Sequence, residues 1–294
     1  MRNALTIDVE DYYHVAAFAS AIRFEDWDHY ESRVERNVHY LLDLLDEHRT
    51  KASFFVLGWV AERFPQLVRV IHGRGHEVAS HGYAHQLIYT QTPGQFREET
   101  RRSKQLIEDA ISKPIIGYRA ASYSITKESL WALEILQDEG FGYDSSIFPI
   151  HHDRYGIPGA LRFCHFVNGH NGAGLIEFPP STLRLAGINV PIAGGGYFRI
   201  FPYAFTRWGI RHLNENELQP VAVYLHPWEI DPGQPRIPVK AFSRFRQYFN
   251  LDQTAIRLIR LLEDFRFGTM ASVLREQGLL TTPGDEPVVR EVGE

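Results

Sequence analysis

Cysteine, long apolar runs and excess positive charge are all scarce in this chain. Its 294 residues include one cysteine, Cys164, which excludes an intramolecular disulfide and favours a reducing compartment. No stretch of about 18 apolar residues occurs, so the sequence predicts no transmembrane helix. The net charge of −5 provides no broad basic surface, which argues against nucleic acid as the main ligand.

The N-terminus leads directly into a strand-like segment at residues 4–9. It lacks the apolar core and the small-residue cleavage site of a secretory signal, so we expect a chain that starts here to fold in the cytoplasm. Aromatic residues make up 13% of the chain. Most aromatic side chains belong to cores, but the same rings stack on sugars, which gives weak support for a carbohydrate site.

Strand-like and helix-like segments alternate through the first half of the chain. Short apolar runs predict strands at residues 4–9, 52–56, 77–80, 115–118 and 141–144. Apolar residues at helical spacing predict helices around residues 34–45, 59–71, 93–111 and 130–139. This alternation predicts parallel strands joined by crossover helices, in either a barrel or a doubly wound sheet.

The second half of the chain is less regular. Residues 150–200 are rich in loops, with strands predicted at 175–178 and 188–192. A strongly apolar strand is predicted at 221–225, followed by an amphipathic helix over 240–270. The polar residues 283–294 predict a frayed tail.

Two histidines four residues apart follow the predicted strand at residues 77–80. On a helical turn His81 and His85 would lie on one face, so both imidazoles can reach one metal ion. An acidic cluster at residues 8–11 closes the first predicted strand. Two histidines and one carboxylate form a facial ligand set that leaves coordination sites open, which is typical of hydrolytic metal sites.

The acidic cluster, the histidine pair, Arg119 and Asp144 all stand at the carboxyl ends of predicted strands. In a barrel and in a doubly wound sheet, functional sites lie at the edge where the carboxyl ends of the strands meet. The agreement between position and chemistry therefore predicts one site built from several strands.

Five short motifs occur in a fixed order along residues 4–230. They are Thr6-Ile7-Asp8-Val9-Glu10-Asp11, His81–His85, Gly117-Tyr118-Arg119-Ala120-Ala121-Ser122, Tyr143-Asp144-Ser145-Ser146 and Tyr224-Leu225-His226-Pro227. In this order they resemble the acidic, His-x-x-x-His, Arg, Asp and Leu-x-His-type motifs of the polysaccharide deacetylases, also called NodB-homology proteins or family 4 carbohydrate esterases. The five motifs together are specific, whereas any one alone would not be.

Within that family, the chain more closely resembles the branch associated with exosortase and exopolysaccharide loci. Asp-Val-Glu-Asp-Tyr in the first motif, the loop at residues 153–158, the segment 194–199 and His226-Pro227-Trp228-Glu229 carry this resemblance. It implies an α/β fold, a distorted (β/α) barrel of the NodB-homology type over residues 1–235. Extra C-terminal helices would pack on the barrel over residues 236–282, with the tail at 283–294.

The resemblance also implies a reaction, the hydrolysis of the N-acetyl amide of a hexosamine. A divalent metal, with Zn²⁺ as the default, would polarise the acetyl carbonyl and lower the pKa of a water molecule. Asp8 would act as the general base, and the adjacent charge of Arg119 would keep it ionised. His226 would protonate the leaving amine as the general acid, and Asp144 would orient it.

The carboxylate ligand of the metal is left open by the first motif. The family commonly has two adjacent Asp residues, one as base and one as ligand, but Val9 occupies the second position here. Residues two apart in a strand share a face, so Asp8 and Glu10 can both point into the site. Glu10 is therefore favoured, and Asp11 is the alternative if the chain turns sharply after the strand.

Four further residues are candidates for substrate binding. A backbone N–H near Ser122 would help to stabilise the tetrahedral oxyanion. Tyr197 and Arg199 follow three glycines, which suits a substrate loop, although a tight turn explains them almost as well. Trp228 is equally compatible with stacking on a sugar ring and with a place in the core.

Three functions are compatible with the sequence. The favoured one is a metal-dependent N-deacetylase acting on an N-acetylated glycan or its lipid-linked precursor, with membrane-bound exopolysaccharide machinery as a candidate partner. A metal-free cyclic-amide amidohydrolase, like the allantoinase-type relatives, would be favoured if the histidine pair were missing. A non-catalytic glycan-binding component of an export system would be favoured if the base or the acid were replaced, but Asp8 and His226 are both present.

Overall fold

The computed structural model describes residues 1–167, 174–192 and 194–281, so the predicted tail at 283–294 lies outside the described residues. In chain order the elements are β1 (Asn3–Val9), α1 (Val34–Glu47), β2 (Ser53–Val56), α2 (Gly58–Arg63), α3 (Pro65–Gly73), β3 (Glu77–Ser80), α4 (Pro93–Ile111), β4 (Gly117–Tyr118), α5 (Trp131–Asp138), β5 (Tyr143–Asp144), β6 (His165–Val167), β7 (Leu175–Glu177), β8 (Thr182–Leu185), β9 (Ile188–Pro191), α6 (Gly195–Ile200), α7 (Tyr203–Glu215), β10 (Ala222–Leu225), α8 (Ala241–Tyr248), α9 (Leu251–Asp264), β11 (Phe267–Gly268) and α10 (Met270–Glu276).

One sheet organises these elements. Its strand order is β10-β1-β2-β3-β4-β5-β7-β6, with β11 paired to β1, and only the β6–β7 pair is antiparallel. The sheet curls into part of a barrel, which confirms the predicted α/β fold of the distorted (β/α) barrel type. None of the described helices is both long and apolar enough to cross a bilayer.

The two faces of β1 enter different apolar clusters, because successive side chains of a strand point to opposite sides. Leu5 and Val9 pack in the large cluster that includes the apolar face of α1. Ala4 packs on the opposite face, against the apolar residues of α10. Asp8 shares this second face with Ala4 and lies towards the carboxyl end of the strand. The fold therefore fills one end of this face with α10 and leaves polar groups at the other end.

Two helices that the sequence predicts as continuous are interrupted. The helix predicted over 59–71 is split into α2 and α3 at Pro65, because the residue before a proline disfavours helical geometry. The helix predicted over 240–270 is divided into α8 and α9 at Asn250, which has a left-handed φ of 54°. The same region then supplies the short strand β11. The boundary predicted at residue 235 stays a prediction.

Candidate active site

Three buried side chains bring their ligand atoms to within 4.8 Å of one another beyond the carboxyl ends of β1 and β3. They are Glu10, His81 and His85. Nε2 of His85 lies 2.8 Å from Oε2 of Glu10, yet this oxygen has no hydrogen-bond partner among the described residues. Two ligands of one Zn²⁺ ion lie about 3 Å apart. A divalent metal therefore fits these residues, since it would bind the buried oxygen to which no described residue donates a hydrogen bond.

The protonation of the cluster suits metal binding. Nδ1 of His81 lies 2.8 Å from the backbone carbonyl oxygen of Arg119, which can only accept, so the ring donates from Nδ1 and keeps a lone pair on Nε2. Burial lowers the pKa of His81 to about 4, which keeps the imidazole neutral. Burial tends to raise the pKa of Glu10, but the neighbouring His85 and His226 outweigh it and hold the pKa below its ordinary value.

His81 and His85 do not lie on a helical turn, so the prediction that helical spacing brings the two rings together was wrong. The segment after β3 is irregular, and Gly82 and His85 both have left-handed φ values, 74° and 52°. The N–H groups of Gly58 and Trp59, at the start of α2, donate to the carbonyl oxygens of Gly82 and Tyr83. This anchored turn brings the two imidazoles together, with ring centroids 5.3 Å apart.

Asp8 and Arg119 form a buried ion pair next to the cluster. Nη1 of Arg119 donates to Oδ1 of Asp8 at 2.6 Å and to the hydroxyl of Thr6 at 2.7 Å. Nη2 donates to the hydroxyl of Ser145 at 2.9 Å. These contacts fix the Asp8 carboxylate and leave its Oδ2 atom 3.8 Å from Nε2 of His226, on the cavity side.

His226 follows β10 and is held by a residue of its own motif. Its Nδ1 lies 2.5 Å from Oε1 of Glu229, whose Oε2 accepts a hydrogen bond from Nε of Arg199 at 2.6 Å. Burial lowers the pKa of His226, but the carboxylates of Glu10, Glu229 and Asp8 outweigh burial and raise it to about 9. The imidazole therefore favours its protonated form and presents Nε2 to the cavity.

The prediction that Asp144 orients the imidazole of His226 is wrong. Asp144 accepts a hydrogen bond from the Ser146 hydroxyl at 2.5 Å and pairs in register with Glu177 of β7. It lies on β5, which is separated from β10 by four strands of the sheet. The Ser146 hydroxyl in turn accepts from the backbone N–H of Ala120, so Asp144 supports the loop that follows β4.

Asp11 is also excluded as a metal ligand by its contacts. Its Oδ2 accepts from the backbone N–H groups of Arg33 and Val34, at 2.6 and 2.9 Å, and from the Ser32 hydroxyl. Its Oδ1 accepts from the backbone N–H of Tyr12. Asp11 therefore caps the start of α1, where N–H groups lack intrahelical partners. Of the two alternatives, the structure places Glu10 with the histidines.

Arg199 and Trp228 line the cavity, and their hydrogen bonds position other site residues, so their binding of substrate stays a prediction. Besides Glu229, the Arg199 guanidinium donates to backbone carbonyls of residues 246–249. Trp228 donates from Nε1 to Oε1 of Glu10 at 3.0 Å, and its ring stacks on His226 at 5.1 Å. Trp228 is only 5% exposed, so little of its ring is open to the cavity, and stacking on a sugar stays a prediction.

A cavity of about 380 Å³ opens over these groups. It is lined by the base and acid candidates, the ligand cluster and all four residues predicted to bind substrate: Ser122, Tyr197, Arg199 and Trp228. Sequence reasoning missed the role of Glu229. Its signal was the spacing of His226 and Glu229, which is that of a capping box, and the Glu229 carboxylate does accept from the His226 backbone N–H at 3.2 Å.

Two family models match this chain. Residues 17–139 match the model described as polysaccharide deacetylase, and residues 145–275 match a domain of unknown function, DUF3473. The chain is 31% identical over 119 residues to a peptidoglycan deacetylase of Helicobacter pylori, a match that covers 40% of this chain and 39% of that relative. The chain thus spans about two fifths of the length of this relative.

Solved structures share the fold. A structure from Mycobacterium smegmatis, described as that of a polysaccharide deacetylase, superposes with a TM-score of 0.61 at 21% identity. The match covers 95% of this chain and 93% of that one. The Puue allantoinase superposes with a TM-score of 0.58 at 14% identity, over 92% and 88% of the two chains. At these identities the likeness shows the fold alone.

The curled parallel sheet and the His–His–Glu cluster define a barrel of the NodB-homology class with a candidate metal centre. Residues 17–139 of the chain match the polysaccharide deacetylase family, and the fold of the whole described chain agrees with that match.

Proposed function

We propose that this protein is a metal-dependent hydrolase that removes N-acetyl groups from amino-sugar residues of a glycan. The observation that carries the proposal is the convergence of three groups on one cavity: the Glu10–His81–His85 cluster, the Asp8–Arg119 pair and His226 with Glu229. Amide hydrolysis needs a polarised carbonyl, a base for water and an acid for the amine, and these groups supply all three.

The cluster would hold the metal, with His81 and His85 providing nitrogen ligands and Glu10 providing oxygen. Two imidazoles and a carboxylate are the ligands of many catalytic Zn²⁺ sites, and a metal in such a site acts as a Lewis acid and activates water. Trp228 stabilises this arrangement, since its N–H fixes Oε1 of Glu10 and leaves Oε2 directed at His85.

Proton transfer is assigned to the two groups on either side of the cluster. Asp8 accepts the proton of the attacking water at Oδ2, because its Oδ1 is occupied by Arg119. His226 donates from Nε2 to the departing amine, while Nδ1 stays bonded to Glu229. Each such proton-transfer partner contributes about 10²–10⁴-fold in rate.

The metal-free amidohydrolase alternative shares the fold, as the likeness to an allantoinase shows. The choice between the two functions therefore rests on the site. Buried Glu10, one oxygen of which accepts no hydrogen bond from the part of the chain that the structure describes, favours the metal-dependent reaction. A buried carboxylate oxygen needs a partner, and a cation held between Glu10 and the histidines would provide one.

The test is the metal content and the acetate release of three proteins: the wild type, His81→Ala and Asp8→Asn. We expect one divalent metal per wild-type chain, measured by mass spectrometry, and acetate release from an N-acetylhexosamine oligomer. His81→Ala should lose both the metal and the activity. Asp8→Asn should keep the metal and lose about 10²–10⁴-fold in rate, since only the base is removed.

A matched control is His72→Ala, which removes a histidine from α3 outside the cluster. This variant should keep both the metal and the activity. A wild type that takes up no metal, yet hydrolyses a cyclic amide, would refute the proposal and support the alternative.

A further inference from the structure

The segment that follows the Glu229 motif carries a local excess of positive charge. Residues 232–250 contain four cationic side chains, Arg236, Lys240, Arg244 and Arg246, and no acidic one, in a protein with a net charge of −5. We call residues 236–249 the basic rim. Such a local excess of positive charge attracts an anionic partner.

The helix of the basic rim, α8, exposes apolar rings to solvent. Phe242 is 62% exposed and Phe245 is 45% exposed, whereas Gln247 on the opposite side of the helix is buried. Residues three apart lie on the same side of a helix, so the two rings form one outward surface. Arg244, which is exposed, flanks this surface. A helix that presents aromatic and basic residues together is typical of segments that lie in the membrane interface.

The positive charges of the basic rim are not consumed by partners within the protein. Lys240 and Arg244 make no ion pair with any residue that the structure describes. Arg246 stacks over the ring of Phe242 at 4.2 Å and lies 3.8 Å from the exposed carboxylate of Asp153. The surface therefore keeps most of its charge for an external anion.

The basic rim lies at the mouth of the site. Phe242, Phe245 and Arg246 line the same cavity as Asp8 and the ligand cluster. A second hollow, of about 470 Å³, lies beside Phe245 and is flanked by Arg236 and Arg244. A surface that binds this rim would therefore also face the entrance of the cavity.

We propose that the basic rim docks on an anionic lipid surface and presents the cavity to a glycan held there through a lipid phosphate. The two phenylalanine rings enter the interface, and the cationic side chains contact lipid phosphates. Each Lys or Arg close to an anionic membrane contributes on the order of 1 kcal/mol, or about fivefold in affinity. A surface that binds a neutral sugar would also use aromatic rings. It would not need four cationic side chains in a segment that has no acidic residue.

This inference rests on the proposed function only for the identity of the substrate, a lipid-linked N-acetylated glycan. Docking on lipid is independent of catalysis. It can therefore be measured with Asp8→Asn, which should bind vesicles as the wild type does. A failure of deacetylation and a failure of docking are then separate results.

The experiment is flotation of the full chain with two kinds of vesicle, phosphatidylcholine alone and an equal mixture of phosphatidylcholine and phosphatidylglycerol. We expect binding to the anionic vesicles that weakens as salt is added. Phe242→Ser combined with Phe245→Ser should lower the vesicle affinity at least about tenfold. Arg244→Gln should lower it about fivefold.

The β8–β9 hairpin offers matched controls, since Ile188 is 68% exposed and Arg184 is also exposed. Ile188→Ser and Arg184→Gln should bind vesicles as the wild type does. The proposal is overturned if the wild type does not bind anionic vesicles at low salt, or if the rim variants bind as tightly as the controls. It is also overturned if the rim variants lose affinity only for a soluble N-acetylhexosamine oligomer, which would make the rim a sugar platform.

Discussion

The substitution Glu229→Gln tests the arrangement of the acid side of the site. The Glu229 carboxylate bonds to two cationic partners, Nδ1 of His226 at 2.5 Å and Nε of Arg199 at 2.6 Å, and it is fully buried. Glutamine has nearly the same shape but only one accepting oxygen. If this oxygen faces His226, the amide NH₂ must face the N–H of Arg199, so one of the two contacts fails.

The size of the effect follows from these contacts. A hydrogen bond to a charged group contributes about 1.5–3 kcal/mol, and breaking a buried ion pair costs about 3–5 kcal/mol. Arg199 keeps its bonds to backbone carbonyls, which reduces the cost of its unpaired charge. We therefore expect Glu229→Gln to lower the free energy of unfolding by about 2–3 kcal/mol. A change in a residue that orients a catalytic group should lower kcat by about 10–100-fold.

The assays are urea unfolding, metal content, and kcat and KM for acetate release. Metal content and KM should stay close to those of the wild type, because Glu229 contacts the acid and not the ligand atoms. A matched control is Glu217→Gln, whose carboxylate pairs with Arg162 outside the cavity. It should leave kcat unchanged. A Glu229→Gln protein with the kcat and stability of the wild type would refute the assignment of Glu229 as the partner of His226.

Three further predictions concern residues around the site and in the core. Trp228→Phe removes the N–H that holds Glu10 and keeps the ring, so metal affinity in a competition titration should fall about 10–100-fold. Asp11→Ala removes the cap of α1 and should lower the free energy of unfolding by about 1–2 kcal/mol, with metal content unchanged. Loss of the metal in this variant would show that Asp11 is a ligand. Burial lowers the pKa of His76 to about 4. Its neutral form therefore stabilises the fold above pH 6.5, and this contribution is lost as the pH falls from 6.5 through 4. Urea unfolding across this range should therefore show a shallower loss of stability in His76→Gln, and equal slopes would contradict the assignment.

The sequence was sufficient for the features that depend on local pattern. Alternating apolar runs and helical spacing predicted the parallel β/α order, because the spacing of apolar residues within a short window distinguishes a strand from a helix. The ordered motifs placed Asp8, Arg119, His81, His85 and His226 at strand ends. The structure brings four of them to one cavity, and Arg119 pairs with Asp8 behind it. Short-range breaks were harder to predict: Pro65 was a visible signal, but the left-handed turn at Asn250 depends on the packing around it.

Contacts between distant segments were decided only by the tertiary structure. Asp144 stands in a motif, yet its strand lies far from β10 in the sheet, while Glu229 reaches His226 within one turn. Glu10 and Asp11 are adjacent in sequence, and only the position of α1 determines that Asp11 caps a helix while Glu10 joins the histidines. The sequence by itself determined the candidate residues and the alternation of strands and helices in the first half of the chain, since these depend on local periodicity and chemistry. It did not predict β6, β8, α6 and α7 of the second half, where the local pattern is less regular. The structure decided which of those residues touch, because partners across the sheet depend on how the whole chain packs.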